Sequence, residues 1–228
     1  MSEALYNSLK RVFSDPHFTD KEIIDPQVEK VLNEISLGNR YRVPIYAEFW
    51  KLFFCCSRVL AQKYIDHSEL NKKFGMEMYK EHIGVVENGI MNFDKAEFQT
   101  TLQQRFPFYQ EIFSKGERNK ENINKAGEFF INTFWEPYLD NEKVNKQSVI
   151  LVAGNCVYDI YDEINDMFKT ARTFESMGGP GTELSEEEAV MAGVGKTETN
   201  VAGLALGIIG GLLIVGLLAY LIFTFLNK

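Results

Sequence analysis

Residues 44–65 read PIYAEFWKLFFCCSRVLAQKYI, the most apolar stretch in the body of the chain. Tyr46, Phe49, Trp50, Phe53, Cys56, Leu60 and Tyr64 recur at three- and four-residue spacing, and Phe54, Val59 and Ile65 widen the stripe. That period is helical. An apolar face this broad predicts a central helix touched on several sides rather than a helix with one wet face.

Working outward, the flanking sequence repeats the helical period. Asp25-Pro26 is expected to start a helix, with Asp as N-cap and Pro at the first helical position, followed by Val28, Val31, Leu32 and Ile35 on one face. Gly38-Asn39 is expected to end it. Beyond residue 65, further helices are predicted over 68–82, 94–106, 108–115, 120–138 and 142–173, with Pro107 breaking or kinking the chain between its two neighbours. In the last of these, Val149, Val152, Cys156, Ile160, Ile164, Met167 and Phe168 form a persistent seam. Alternating strand patterns are missing apart from the ambiguous Val149–Val152, and no fixed-period repeat suggests a solenoid. The expected fold class is all-α: a single helical bundle of six or seven helices over residues 1–175.

Composition narrows the function classes. The 228 residues are 45% hydrophobic and 25% charged, with 18 Phe and only 3 Cys, so large side chains rather than disulfides must hold the body together. A net charge of −8 argues against nucleic acid as a partner, since the phosphate backbone calls for a positive surface. The mean hydropathy of −0.18 averages a polar body with a very apolar end.

That end is residues 201–226, 26 residues without a charge, of which 16 are Leu, Ile, Val or Phe. As a helix it would be about 39 Å long against a hydrocarbon core of about 30 Å, so a tilted transmembrane helix is predicted. Residues 1–16 carry Glu3, Lys10, Arg11 and Asp15 and lack an apolar run, unlike a signal peptide. The expectation is therefore a tail-anchored, single-pass membrane protein with a cytosolic amino-terminal domain, and residues 227–228 as a short exterior end. Gly203, Gly207 and Gly211 fall at every fourth position and Ala219 continues the stripe, the spacing of a membrane-helix interface with another helix or with a second copy. Between the two parts, residues 176–200 hold five Gly, five Glu and no aromatic residue, which reads as a flexible acidic linker. Gly195-Lys196-Thr197 within it is not a phosphate loop, because Val190 stands where the loop needs Gly.

Chemistry-bearing residues are sparse. His17, His67 and His82 have no Glu three positions earlier, no His-Glu-x-x-His or Gly-x-Ser-x-Gly occurs, and adjacent Cys55-Cys56 project about 100° apart on a helix. No metal site and no catalytic residues are assigned, and the expectation leans away from an enzyme. Three groups remain. The acidic series Asp159, Asp162, Glu163 and Asp166 is a candidate face for a basic partner, against the ordinary reading of a solvated face. The aromatic cluster Phe129, Phe130, Phe134, Trp135 and Tyr138 is a candidate partner or ligand groove, against the ordinary reading of core. His82, with Met78 one turn before it near a predicted helix end, resembles the proximal-histidine region of globins, which implies haem as an alternative cofactor.

The layout of helical bundle, tether and terminal membrane helix also resembles the DotU/TssL subunits of bacterial secretion machines, which implies assembly into a membrane complex. The resemblance covers organisation and carries no residue roles. The leading expectation is a non-enzymatic adaptor or assembly subunit whose partners are the lipid bilayer, other membrane helices or itself, and a cytosolic protein. The alternatives are a membrane-tethered sensor holding haem or an apolar ligand, and a membrane-damaging effector that oligomerises through its anchor.

Overall fold

In the computed structural model, which describes residues 3–35, 41–65, 67–114, 117–133 and 144–176, every regular element is helical and no strand occurs among the described residues. The elements are α1 (Glu3–Val12), α2 (Pro16–Phe18), a π-helical turn (Thr19–Ile24), α3 (Asp25–Ile35), α4 (Arg42–Tyr64), α5 (Ser68–Gly89), α6 (Lys95–Ser114), α7 (Lys120–Asn132) and α8 (Lys146–Ser176). Seven of these have ten or more residues. The all-α bundle is therefore what the residues build. The apolar segment 201–226, linker residues 177–200, Gly38-Asn39, Phe134, Trp135 and Tyr138 lie outside the described residues, while Ser176 ends α8. Among the described ones, no helix is long and apolar enough to cross a membrane.

α4 is the hub, as its sequence predicts. It packs on α3, α5, α6, α8 and the π turn, and Phe49, Trp50, Leu52, Phe53, Cys56 and Leu60 are completely or almost completely removed from water. Aromatic edges fill its surroundings: Phe49 meets Phe130 of α7 at a ring separation of 4.4 Å, and Phe13 touches Phe53, Phe74 and Phe168 from three different helices. Such contacts each add about 0.5–1.5 kcal/mol beyond area burial.

Three local expectations are corrected. The chain contains two Asp-Pro pairs, and only in the first does Asp act as an N-cap, although the α-helical stretch α3 does begin at the second. Asp15 caps α2 by accepting from the backbone N–H of His17 and Phe18, both at 3.0 Å, with Pro16 in the first turn. Helix then continues through the π turn into α3, so Asp25 has helical dihedrals (φ −55°, ψ −42°) and Pro26 sits inside the run. The widened turn directly precedes Pro26, whose ring would press on the carbonyl four residues back in a regular α-helix and which has no N–H to bond it.

Second, α6 runs through Pro107 as one helix where two were expected. Gln103, whose carbonyl loses its N–H partner, is exposed, so water can serve it, while Phe98, Tyr109, Ile112 and Phe113 pin both halves to the core. The start at Asp94 does hold: its carboxylate accepts from Ala96 and Glu97 N–H at 2.8 and 3.0 Å. Third, α5 extends to Gly89, seven residues past its expected end, whereas Val149–Val152 lies in α8 within the helix expected over 142–173.

The contact between α7 and α8 is the most intimate in the bundle. A Cβ on Gly127 would lie 2.0 Å from the Ile150 carbonyl oxygen, and one on Gly154 would lie 2.0 Å from that of Ile123. Only glycine at both positions lets the two backbones touch.

Candidate functional site

His82 lies in the middle of the bundle, not at a helix end, and its side chain has no exposed surface. Nδ1 is 3.0 Å from the Met78 carbonyl oxygen, which can only accept, so Nδ1 carries the proton. Nε2 faces the hydroxyl of Thr19 at 3.4 Å, and that hydroxyl donates to the Asp15 carbonyl oxygen at 3.3 Å. The imidazole packs against Phe53 and Trp50 at ring separations of 5.3 and 5.9 Å. Burial lowers its pKa to about 4, against weaker opposing pulls from the Met78 carbonyl and Asp15. The ring is thus a neutral core imidazole whose Nε2 is turned onto Thr19, and the globin-like position near a helix end is not what the fold gives it.

The aromatic cluster separates. Phe130 is in the core on Phe49, whereas Phe129 is half-buried and stacked on Phe108 at 3.5 Å, with the Arg105 guanidinium 5.6 Å from its ring centre. Both are engaged with neighbouring side chains. Phe134, Trp135 and Tyr138, which would complete the groove, lie outside the described residues.

The acidic row on α8 is mostly paired within the chain. Arg118, from the segment before α7, bonds Asp162 at 2.9 Å and Asp159 at 2.8 Å, and it reaches Asn155 at 3.3 Å. Lys30 of α3 takes the other Asp159 oxygen at 3.0 Å, and Lys169 takes Asp166 at 2.6 Å. Glu163 is exposed. Two of the four carboxylates, Asp159 and Asp162, therefore tie elements together and Asp166 is paired within α8, which leaves less uncompensated charge for a partner than the sequence alone implies.

One polar constellation escaped the sequence reading. Glu48 and Lys51 on α4, with side chains 7% and 10% exposed, pair at 2.6 Å, and Arg105 of α6 reaches the second Glu48 oxygen through Nε at 3.3 Å. Lys51 lies 5.5 Å from the centre of the Phe98 ring. Two cations thus share one carboxylate between α4 and α6, with aromatic faces supplying further negative potential. The signal was available: Glu48 and Lys51 stand three apart inside a helix apolar on all sides, so neither could avoid burial.

The three thiols are buried, and burial pushes each up, Cys156 to about 12. Among the described residues, no group of three or more His, Cys, Asp or Glu side chains could hold a metal ion. An open depression of about 380 Å3 lies between the ends of α4 and α8, lined by Tyr64, Lys169, Arg172 and Thr173. Its carbonyl, hydroxyl and cationic groups include none in a nucleophile–base arrangement. No family model matches the chain, and no curated protein or solved structure matches it either, so the functional reading rests on the chain's own residues.

Proposed function

We propose that the chain is a tail-anchored, non-enzymatic adaptor or assembly subunit. Residues 201–226 hold it in a bilayer, the helical bundle faces the cytosol and binds a protein there, and Gly203, Gly207, Gly211 and Ala219 form the anchor's contact with another membrane helix or a second copy. One observation carries the reading: 26 consecutive uncharged residues, long enough to span the hydrocarbon core, follow a separately packed helical body. The location of the reactive groups supports a non-enzymatic role, since His82 and all three thiols sit within the core. Confinement to a membrane raises the effective concentration of a partner without adding any contact to the interface.

The test is crosslinking of the full chain in its native membrane, followed by identification of the captured chains. After alkaline carbonate washing the protein should stay with the vesicles, and it should crosslink to a defined partner or to itself. Gly207→Ile should reduce that product severalfold without releasing the chain from the membrane. Extraction by carbonate, or digestion of the bundle by protease added outside intact cells, would overturn the proposal.

A further inference from the structure

The corner formed by residues 15–20 is held to the bundle by unusually little apolar surface. None of the three residues of α2 is buried, and Phe18 is 52% exposed. Its attachments are polar: the Thr19 hydroxyl beside His82 Nε2, and the Asp20 carboxylate accepting from the Tyr46 hydroxyl at 2.6 Å. Thr19, 1% exposed, is the residue that enters the core, and it opens the π turn. Segments with few buried apolar contacts are the ones that open locally while the rest of a fold stays closed.

The imidazole is wholly buried, and no carboxylate touches it. α4 presents the rings of Trp50 and Phe53, and α5 presents the Met78 carbonyl, already used by Nδ1. Asp15, at the start of α2, is the carboxylate whose field favours a charged ring, and it is occupied in capping His17 and Phe18. Asp20, the other acid of the corner, is bound to Tyr46. Glu81, beside His82 in sequence, is exposed. A proton added at Nε2 could be accepted by the Thr19 oxygen, whose own proton goes to the Asp15 carbonyl, but the charge would lie wholly out of water with no carboxylate in contact. Opening the corner lets water reach it.

We propose that the corner closing over His82 is a proton-operated latch: charging of the buried imidazole draws water in and releases residues 15–20 from α4 and α5 while the remaining helices stay packed. The direction follows from linkage. The closed form holds the ring neutral down to about pH 4, whereas an exposed imidazole takes its proton near its ordinary pKa of 6.5. The latch is therefore fully closed above that range and weakens as pH falls through it. Asp20 acts in the opposite sense, since burial raises its pKa and acid favours its closed, protonated form. The inference concerns the bundle alone and stands apart from the membrane reading.

Hydrogen exchange of the full-length protein, read by mass spectrometry on peptides covering 15–25 and corrected for intrinsic rates, tests it. Between pH 7 and pH 5 the opening constant of that segment should rise about tenfold or more, with α7 and α8 unchanged. His82→Gln, which keeps a polar side chain but cannot charge, should abolish the rise or reverse it through Asp20. Thr19→Val should open the segment already at pH 7. Equal protection at both pH values, the same rise in the Gln variant, or a uniform rise across all helices would overturn the proposal.

Discussion

Between α4 and α6 the gap is filled by long side chains, whereas between α7 and α8 it is removed. In the first seam, Glu48, Lys51 and Arg105 interlock under Phe98 and Phe129. In the second, Gly127 and Gly154 bring each backbone against a carbonyl of the other. The lesson is that two helix pairs in one bundle can be specified by opposite means. One depends on matching charges in a dry place, and the other depends on the absence of any side chain. The first is sensitive to losing a partner, the second to gaining a single carbon.

The sharpest way to break the comparison is Glu48→Leu. It leaves the buried Lys51 and the partly buried Arg105 without their carboxylate, and a loss of about 3 kcal/mol in chemical denaturation is expected. Adding Lys51→Met and Arg105→Leu should return most of that stability, because the cost lies in the orphaned cations and not in the missing pair. Failure of the triple variant to recover would mean that the charges select the packing itself. In the other seam, Gly154→Ala should cost about 3 kcal/mol, since the methyl would lie 2.0 Å from the Ile123 carbonyl oxygen, which belongs to backbone and cannot swing away. A thermal midpoint within a degree or two of the parent would show that the helices separate at little cost. The smallest effect belongs to Arg118→Ala. This residue braces α7's approach to α8 from the surface, and with its side chain 40% exposed the loss should stay below about 1 kcal/mol and shrink further in high salt.

The all-helical class and the central place of α4 were legible because they depend on local periodicity, and a helix apolar all round has nowhere to go except the middle. The caps at Asp94 and Asn119 are equally local. α1 was also readable, since Leu5, Leu9 and Val12 keep helical spacing, but its short length hid it among polar residues. The choice between Asp15-Pro16 and Asp25-Pro26 was not legible, because both carry the same start signal and packing of Thr19, Ile23 and Ile24 decides between them. The pairing of the acidic row was not legible for a related reason. Its counter-ions Arg118 and Lys30 lie 41 and 129 residues from Asp159 along the chain, and no spacing rule reaches that far. His82 stands out in sequence through its place near a predicted helix end with Met78 one turn before it, yet the side chains against it come from the π turn and α4, which its own neighbours in sequence do not announce.

Cys55, Cys56 and Cys156 are at most 1% exposed, and their thiols are held far from the ionised form that alkylating reagents attack. A maleimide or iodoacetamide should therefore ignore the native molecule and mark it only when it comes apart. The chain carries its own chronometer for unfolding, and a cysteine placed on its surface for a fluorophore or spin label would be the one position to react without first removing the other three.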